Sequence, residues 1–314
     1  MDDVEQRILF VGAVLEGHRC LEALIEAGER VDAIATLDPA LGETTSGWVP
    51  FDDLAARLGV PLLIVRDLNR PEEVARVAEL RPDLILVIGW TRLLGEALLA
   101  LPRLGAIGFH ASLLPRYRGR APVNWAIING EAETGNTMFY LDPGVDTGDI
   151  IDQRAIPIED ADDCATLYDK VADAATEMLL EQLPGLRDGT APRRRQDERL
   201  ATVMPRRRPE DGRIDWTRGR RALFDWVRAL THPYPGAFTE LAGRRLFVWR
   251  AETGRAETTA RPGTLVEGPD GAIEVATGDG TLRLRAVQWE GEPETAADSL
   301  RPWLGATFAL GVAA

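Results

Sequence analysis

Between Asp83 and Gly89 run five apolar residues without a break, Leu84, Ile85, Leu86, Val87 and Ile88. Such a run is short for a helix and offers no polar face to water, so it reads as a strand buried on both sides. Strands of that kind belong to parallel sheets covered by helices on both faces. The surrounding sequence agrees. Strand-like stretches at 7–12, 31–37, 62–65 and 106–109 alternate with amphipathic helical stretches at 17–27, 51–58, 71–80 and 93–101, and Gly28 is a natural helix stop. Alternation of this type specifies an α/β layer fold. Gly12 and Gly17 follow the first strand, but the Gly-x-Gly-x-x-Gly spacing of a dinucleotide site is absent, so these glycines serve the turn.

Composition narrows the classes. The chain has 314 residues, 45% of them hydrophobic, which suits a large folded domain with a smaller companion and excludes a disordered chain. No apolar stretch is long enough to span a bilayer, and the start, Met1-Asp2-Asp3-Val4-Glu5, is acidic where a signal peptide would be basic. A cytoplasmic protein with no membrane partner is expected. Cys20 and Cys164 fall within expected helices, and His18, His110 and His232 are scattered, so neither a disulfide framework nor a metal site is expected. The net charge of −14 opposes a polyphosphate partner such as tRNA, which is held by neutralising phosphates. Two local exceptions, Arg193-Arg194-Arg195 and Arg206-Arg207-Arg208, read first as solvated charge.

Residues 105–158 hold the densest chemistry. An apolar strand at 106–109 delivers His110 to its C-terminal end, where ligands of open α/β sheets collect. Ser112, Leu113, Leu114 and Pro115 follow, then Arg116, Arg118 and Arg120 around Gly119, three guanidiniums in five positions that can clamp a phosphate or carboxylate. Pro122 opens a helix over 122–128. A strand at 137–141 then runs into the turn Asp142-Pro143-Gly144-Val145-Asp146-Thr147-Gly148, which places Asp146 at a second strand end. Each residue has a bland alternative. A lone histidine is commonly a satisfied core residue, a turn aspartate commonly caps a backbone N–H, and arginines are commonly surface charge.

As a set, His110, Ser112, Leu113, Leu114, Pro115, Arg118, Gly119, Gly130, Glu131, Thr134, Gly135, Thr137, Asp146, Gly148 and Ile150 resemble the folate-dependent formyltransferase family. Its pattern is Asn-x-His-x-Ser-Leu-Leu-Pro, an arginine-glycine loop, Gly-Glu-x-x-Thr-Gly-x-Thr and Asp-x-Gly-x-Ile. The resemblance implies a Rossmann-like core and 10-formyltetrahydrofolate as formyl donor. It makes His110 the donor to the oxyanion or leaving nitrogen, and Asp146 the group that orients it and accepts the amine's proton. It also implies donor contacts at Trp90, Thr91, Arg92 and Asp142, and acceptor contacts at Gly12, Ser112, Arg118, Arg120 and Pro122. One position departs. Two residues before the histidine, where the family carries asparagine, this chain has Gly108. Ser112, Asn124 and Asn136 are candidate replacements for the missing amide. Altered acyl chemistry and bare folate binding are the alternatives.

The second half changes character. A helical stretch at 164–183 closes the first domain, expected over 1–188, and 189–204 mixes Pro, Gly, Arg and Asp without periodicity, as a linker does. Beyond it come a helix at 218–230 and short strands at 236–241, 246–250, 263–266, 273–276 and 281–288, a small β-barrel over 205–314. Asp215-Trp216, the run from His232 through Pro233, Tyr234, Pro235, Gly236 and Ala237 to Phe238, and Val248-Trp249 resemble landmarks of the family's OB-like C-terminal domain. The Arg118 to Trp125 run resembles sugar-nucleotide formyltransferases, which with the acidic balance makes an amino-sugar nucleotide the expected acceptor and methionyl-tRNA the alternative.

Overall fold

The computed structural model describes residues 6–42 and 44–309, so the acidic start at 1–5 lies outside the described residues. The chain divides into two compact units, the first of residues up to 122, 133–157 and 168–205, the second of 123–132, 158–167 and the residues from 206 onward. This differs from the expected division at 188 and 205. The supposed linker groups with the first unit, because its side chains and backbone are bonded there.

The first unit is built on strands β1 (Ile8–Val11), β2 (Ala33–Leu37), β3 (Leu62–Val65), β4 (Leu84–Val87), β5 (Ala106–His110), β7 (Glu133–Tyr140) and β8 (Ile150–Pro157), in the order β3-β2-β1-β4-β5-β7-β8, while β6 (Arg118–Gly119) lies outside this sheet and pairs with β9 (Val203–Met204). β1 to β5 run parallel, β7 adds antiparallel to β5, and β8 pairs antiparallel with β7 at the sheet's edge. Every residue of β1, β2 and β4 is buried, as the unbroken apolar runs require. Two apolar clusters cover the faces, one holding Phe10, Leu86 and Met138, the other Leu9, Val87 and Ala106.

The helices are α1 (Leu15–Glu26), α2 (Pro39–Gly42), α3 (Asp52–Leu58), α4 (Pro71–Leu80), α5 (Glu96–Leu99), α6 (Pro122–Ile128), α7 (Cys164–Asp188) and α8 (Arg220–Leu230). α5 is much shorter than expected, because Asn69 takes the chain in hand before it: its amide donates to the Leu93 carbonyl and its carbonyl accepts from Gly95 N–H. α7 runs on past Pro184. A proline inside a helix costs about 3 kcal/mol, and here burial of Leu183 and Leu186 on either side of it offsets that loss.

In the second unit, β10 (Ala237–Leu241), β11 (Arg244–Thr253), β14 (Thr281–Trp289), β13 (Ile273–Ala276) and β12 (Leu265–Glu267) form an antiparallel sheet in that order, with β15 (Thr295–Ala296) on β14. The curled sheet is nearly a barrel. Residues 306–309 bridge its edges, since Leu265 N–H donates to Ala306, Phe308 N–H to Gly263 and Ala309 N–H to Glu240 of β10. Trp216 fills its end, stacked on Phe308 and donating to the Thr239 hydroxyl.

Candidate active site

β5 brings His110 to the sheet's ligand-facing edge. Its register sets Gly108 opposite Val87 and Phe139, and His110 opposite Thr137. Alternation therefore puts Ala106, Gly108 and His110 on one face. The imidazole is almost covered, its side chain 9% exposed. Nε2 lies 2.7 Å from the Tyr117 carbonyl. A carbonyl can only accept, so Nε2 carries a hydrogen and Nδ1 is the edge turned toward Asp146. There Oδ2 lies 3.6 Å from Nδ1. That gap is wide for a hydrogen bond, as is common before substrate closes a site.

Asp146 is held at its carboxylate and at its backbone carbonyl. Its φ of 54° is left-handed, costly for a side-chain-bearing residue, and such outliers persist where their surroundings fix them. Its Oδ2 accepts from Gly119 N–H at 2.8 Å. Its own carbonyl accepts from Gln196 Nε2 at 2.9 Å, and the same nitrogen donates to Gly148 O at 2.8 Å. Gly148 has to be glycine, since a Cβ would sit 1.7 Å from the Tyr140 carbonyl oxygen. The Asp146 side chain is 18% exposed, so of the two groups the carboxylate is the more open to solvent.

The other sequence candidates fall into two sets. Trp90, Thr91 and Arg92 form the loop after β4, and Trp90 Nε1 is buried with no partner among the described residues. Arg92 reaches back to the Arg66 carbonyl. Arg120 is exposed, with a single long contact of 3.5 Å to the Thr91 carbonyl. These sites are open to ligand. The remaining candidates are engaged within the chain. Arg118 is 4% exposed and its whole fork is taken, by Gln196 Oε1 at 2.7 and 3.1 Å and by Glu198 at 2.7 and 2.8 Å. Hydrogen bonding to Arg118 holds the Glu198 carboxyl below its ordinary range. Ser112 donates to the Arg116 carbonyl, and Asp142 caps its own turn by accepting from Gly144 N–H and Thr147. Gly12 packs where a Cβ would crowd Ile88 O at 2.9 Å, and Pro122 begins α6.

At Gly108 a Cβ would meet Leu141 Cδ2 at 2.6 Å. No proposed stand-in replaces the missing amide on that face. Ser112 is engaged, Asn124 donates to the Ala229 carbonyl at 2.6 Å, and Asn136 lies one register position from Thr137 and so faces the other side of the sheet. There it donates to the Val171 carbonyl and to Glu16, whose carboxyl burial pushes up to about 7. Sequence reasoning missed Glu16 and Gln196. Glu16 looked like one more polar residue of an amphipathic helix, and Gln196 sat in aperiodic sequence, so neither gave a signal.

Comparison with known proteins yields two matched stretches along the chain. Residues 56–183 match the family described as formyl transferase, and 207–301 match its C-terminal domain. A methionyl-tRNA formyltransferase of Citrifermentans bemidjiense is 40% identical over 290 residues, 91% of this chain and 90% of that one. HypX from Aquifex aeolicus, solved with tetrahydrofolic acid, superposes with a TM-score of 0.68 at 21% identity, over 95% of this chain and 47% of that protein, so this chain spans about half its length. An N-formyltransferase from Helicobacter canadensis, solved with folinic acid and dTDP-3-aminofucose, gives 0.68 at 17% identity, over 89% and 98%.

Proposed function

The chain belongs to the formyl transferase family, as a folate-dependent N-formyltransferase, and we propose that its acceptor is the amine of methionyl-tRNA. The observation that carries this reading is the 40% identity to a methionyl-tRNA formyltransferase along 91% of the chain. It outweighs the amino-sugar nucleotide expected from the short Arg118 to Trp125 run, since structural likeness at 17% identity supports only the shared fold. The net charge of −14 does not bar tRNA, because binding depends on local charge. Arg120, Arg195 and Arg206 are all exposed. The two free thiols, both buried, suit a reducing compartment, and the cytoplasm is the proposed place of action.

10-Formyltetrahydrofolate supplies the formyl carbon. Trp90, Thr91 and Arg92 would hold it, and the buried, unpartnered Trp90 Nε1 fits a ligand acceptor there. Asp146 would take one proton from the acceptor's ammonium at its carboxylate; the amine so freed bonds to the formyl carbon as the bond from that carbon to the donor's N10 breaks, and N10 takes up the amine's second proton. His110, its Nε2 fixed by the Tyr117 carbonyl, presents Nδ1 to Asp146 and orients the carboxylate for that step. The burial of His110 keeps bulk water from that edge, which strengthens both effects.

A gel-shift titration separates the acceptors. Methionyl-tRNA should be retained, and retention should weaken steeply with salt, at a slope of about −0.7 to −0.9 per neutralised phosphate. Absence of retention at low salt, with protection by an amino-sugar nucleotide in a thermal shift, would restore the sugar reading.

A further inference from the structure

We propose that Gln196 is a positioning residue for Asp146, and that residues 194–204 are a strap that sets the geometry of the catalytic pair. The proposal rests on the formyl-transfer reading for its rate measurement. The strap touches each support of the pair. Arg194 pairs with Ile150 just past the Asp146 turn, its N–H donating to Ile150 O at 2.9 Å and its carbonyl accepting from Ile150 N–H at 2.8 Å. The Gln196 amide is used at both ends: Nε2 bridges the carbonyls of Asp146 and Gly148, while Oε1 accepts twice from Arg118. Thr202 accepts from Tyr117 N–H at 2.8 Å, and Tyr117 is the residue whose carbonyl fixes His110 Nε2. β9 pairs with β6 at Gly119, whose N–H fixes the Asp146 carboxylate.

The left-handed φ of Asp146 makes this support consequential. Without a donor on its carbonyl, the turn is free to relax and to carry the carboxylate away from Nδ1, which already stands 3.6 Å off. A misplacement of about 1 Å at a reacting group costs about 10² in rate. Gln196 lies far from any strand motif, and its chemistry is a primary amide with one donor edge and one acceptor edge. Only an amide satisfies two carbonyls and a guanidinium together.

The test uses the full-length chain with Gln196→Ala and Gln196→Glu. The glutamate keeps the acceptor edge toward Arg118 but cannot donate to the two carbonyls, so its folding should be intact. Expected for Gln196→Glu is a fall in kcat of about 30- to 100-fold with KM for donor and acceptor unchanged. An unchanged thermal midpoint beside that fall marks positioning, whereas loss of midpoint at wild-type kcat in both variants would show a merely structural role and overturn the proposal. A second readout is independent of activity. The chain has three histidines, so the ¹⁵N signals of the His110 ring can be followed. Its Nδ1 signal should move in Gln196→Glu while Nε2, held by Tyr117, stays. If both ring nitrogens match wild type, the strap does not set Asp146. If the wild-type chain forms no formyl-methionyl-tRNA, the acceptor reading fails, and the ring signals still decide the strap.

Discussion

Replacing Gly108 by asparagine sets a gain in chemistry against a loss in packing, and the structure gives both magnitudes. A Cβ built at 108 lies 2.6 Å from Leu141 Cδ2, 3.1 Å from Cγ and 3.5 Å from Cδ1. Carbon atoms settle at about 3.5–4.0 Å, so the Leu141 methyl has to withdraw by about 1 Å. It is the free end of a half-buried side chain, and overpacking of this kind costs about 1–3 kcal/mol. The register places the new amide on the His110 face, and one oxyanion donor is worth about 10²–10³ in rate. Gly108→Asn should therefore be less stable in urea unfolding yet faster in single-turnover formyl transfer. Adding Leu141→Ala removes every atom the new Cβ would strike, so the double variant separates strain from chemistry. If both variants fold and both transfer formyl no faster than wild type, Gly108 is not a missing donor. The open backbone there then makes room for something else.

Further expectations follow from groups outside that face. The folded Glu16 carboxyl titrates at about 7 against an ordinary 4.5, so folding favours its protonated form: the stability is fully present below 4.5 and is lost as pH rises through 7. At about 1.36 kcal/mol per pH unit the loss reaches up to about 3 kcal/mol. Glu16→Gln keeps an acceptor for Asn136 and should match wild type at pH 4 but exceed it at pH 8 in denaturant unfolding; parallel curves would contradict the assignment. Arg120→Ala should leave the thermal midpoint unchanged and lower the salt slope of tRNA binding by about 1. An unchanged slope would leave Arg120 as surface charge only.

The sheet was legible because its strands are pure apolar runs; that His110 and Asp146 meet could be expected because one ends such a run and the other lies in the turn after one, and the structure sets them 3.6 Å apart. β8 was harder. Past Ile151 it continues through Asp152, Gln153 and Arg154, polar residues that sequence periodicity does not credit to a strand, and antiparallel pairing with β7 supplies what propensity withholds. The extension of α7 through Pro184 was hidden for the same reason, a tertiary contact overriding a local rule. Arg118 looked like a free phosphate clamp because its partners, Gln196 and Glu198, are about eighty positions away and lie in a stretch with no pattern. The shared motif does not single out an acceptor, since the resemblance it carries extends to sugar-nucleotide and methionyl-tRNA formyltransferases alike.

The most direct test is single-turnover transfer from 10-formyltetrahydrofolate to methionyl-tRNA by the purified chain, alongside Asp146→Asn. The asparagine is nearly isosteric and can still accept from Gly119 N–H, so folding should survive while the proton acceptor is lost. The expected result is formyl-methionyl-tRNA from the wild type and a rate lower by about 10²–10⁴ for the variant, the usual scale for a positioned acid or base. Wild-type rates in Asp146→Asn, or turnover on an amino-sugar nucleotide with none on methionyl-tRNA, would contradict it.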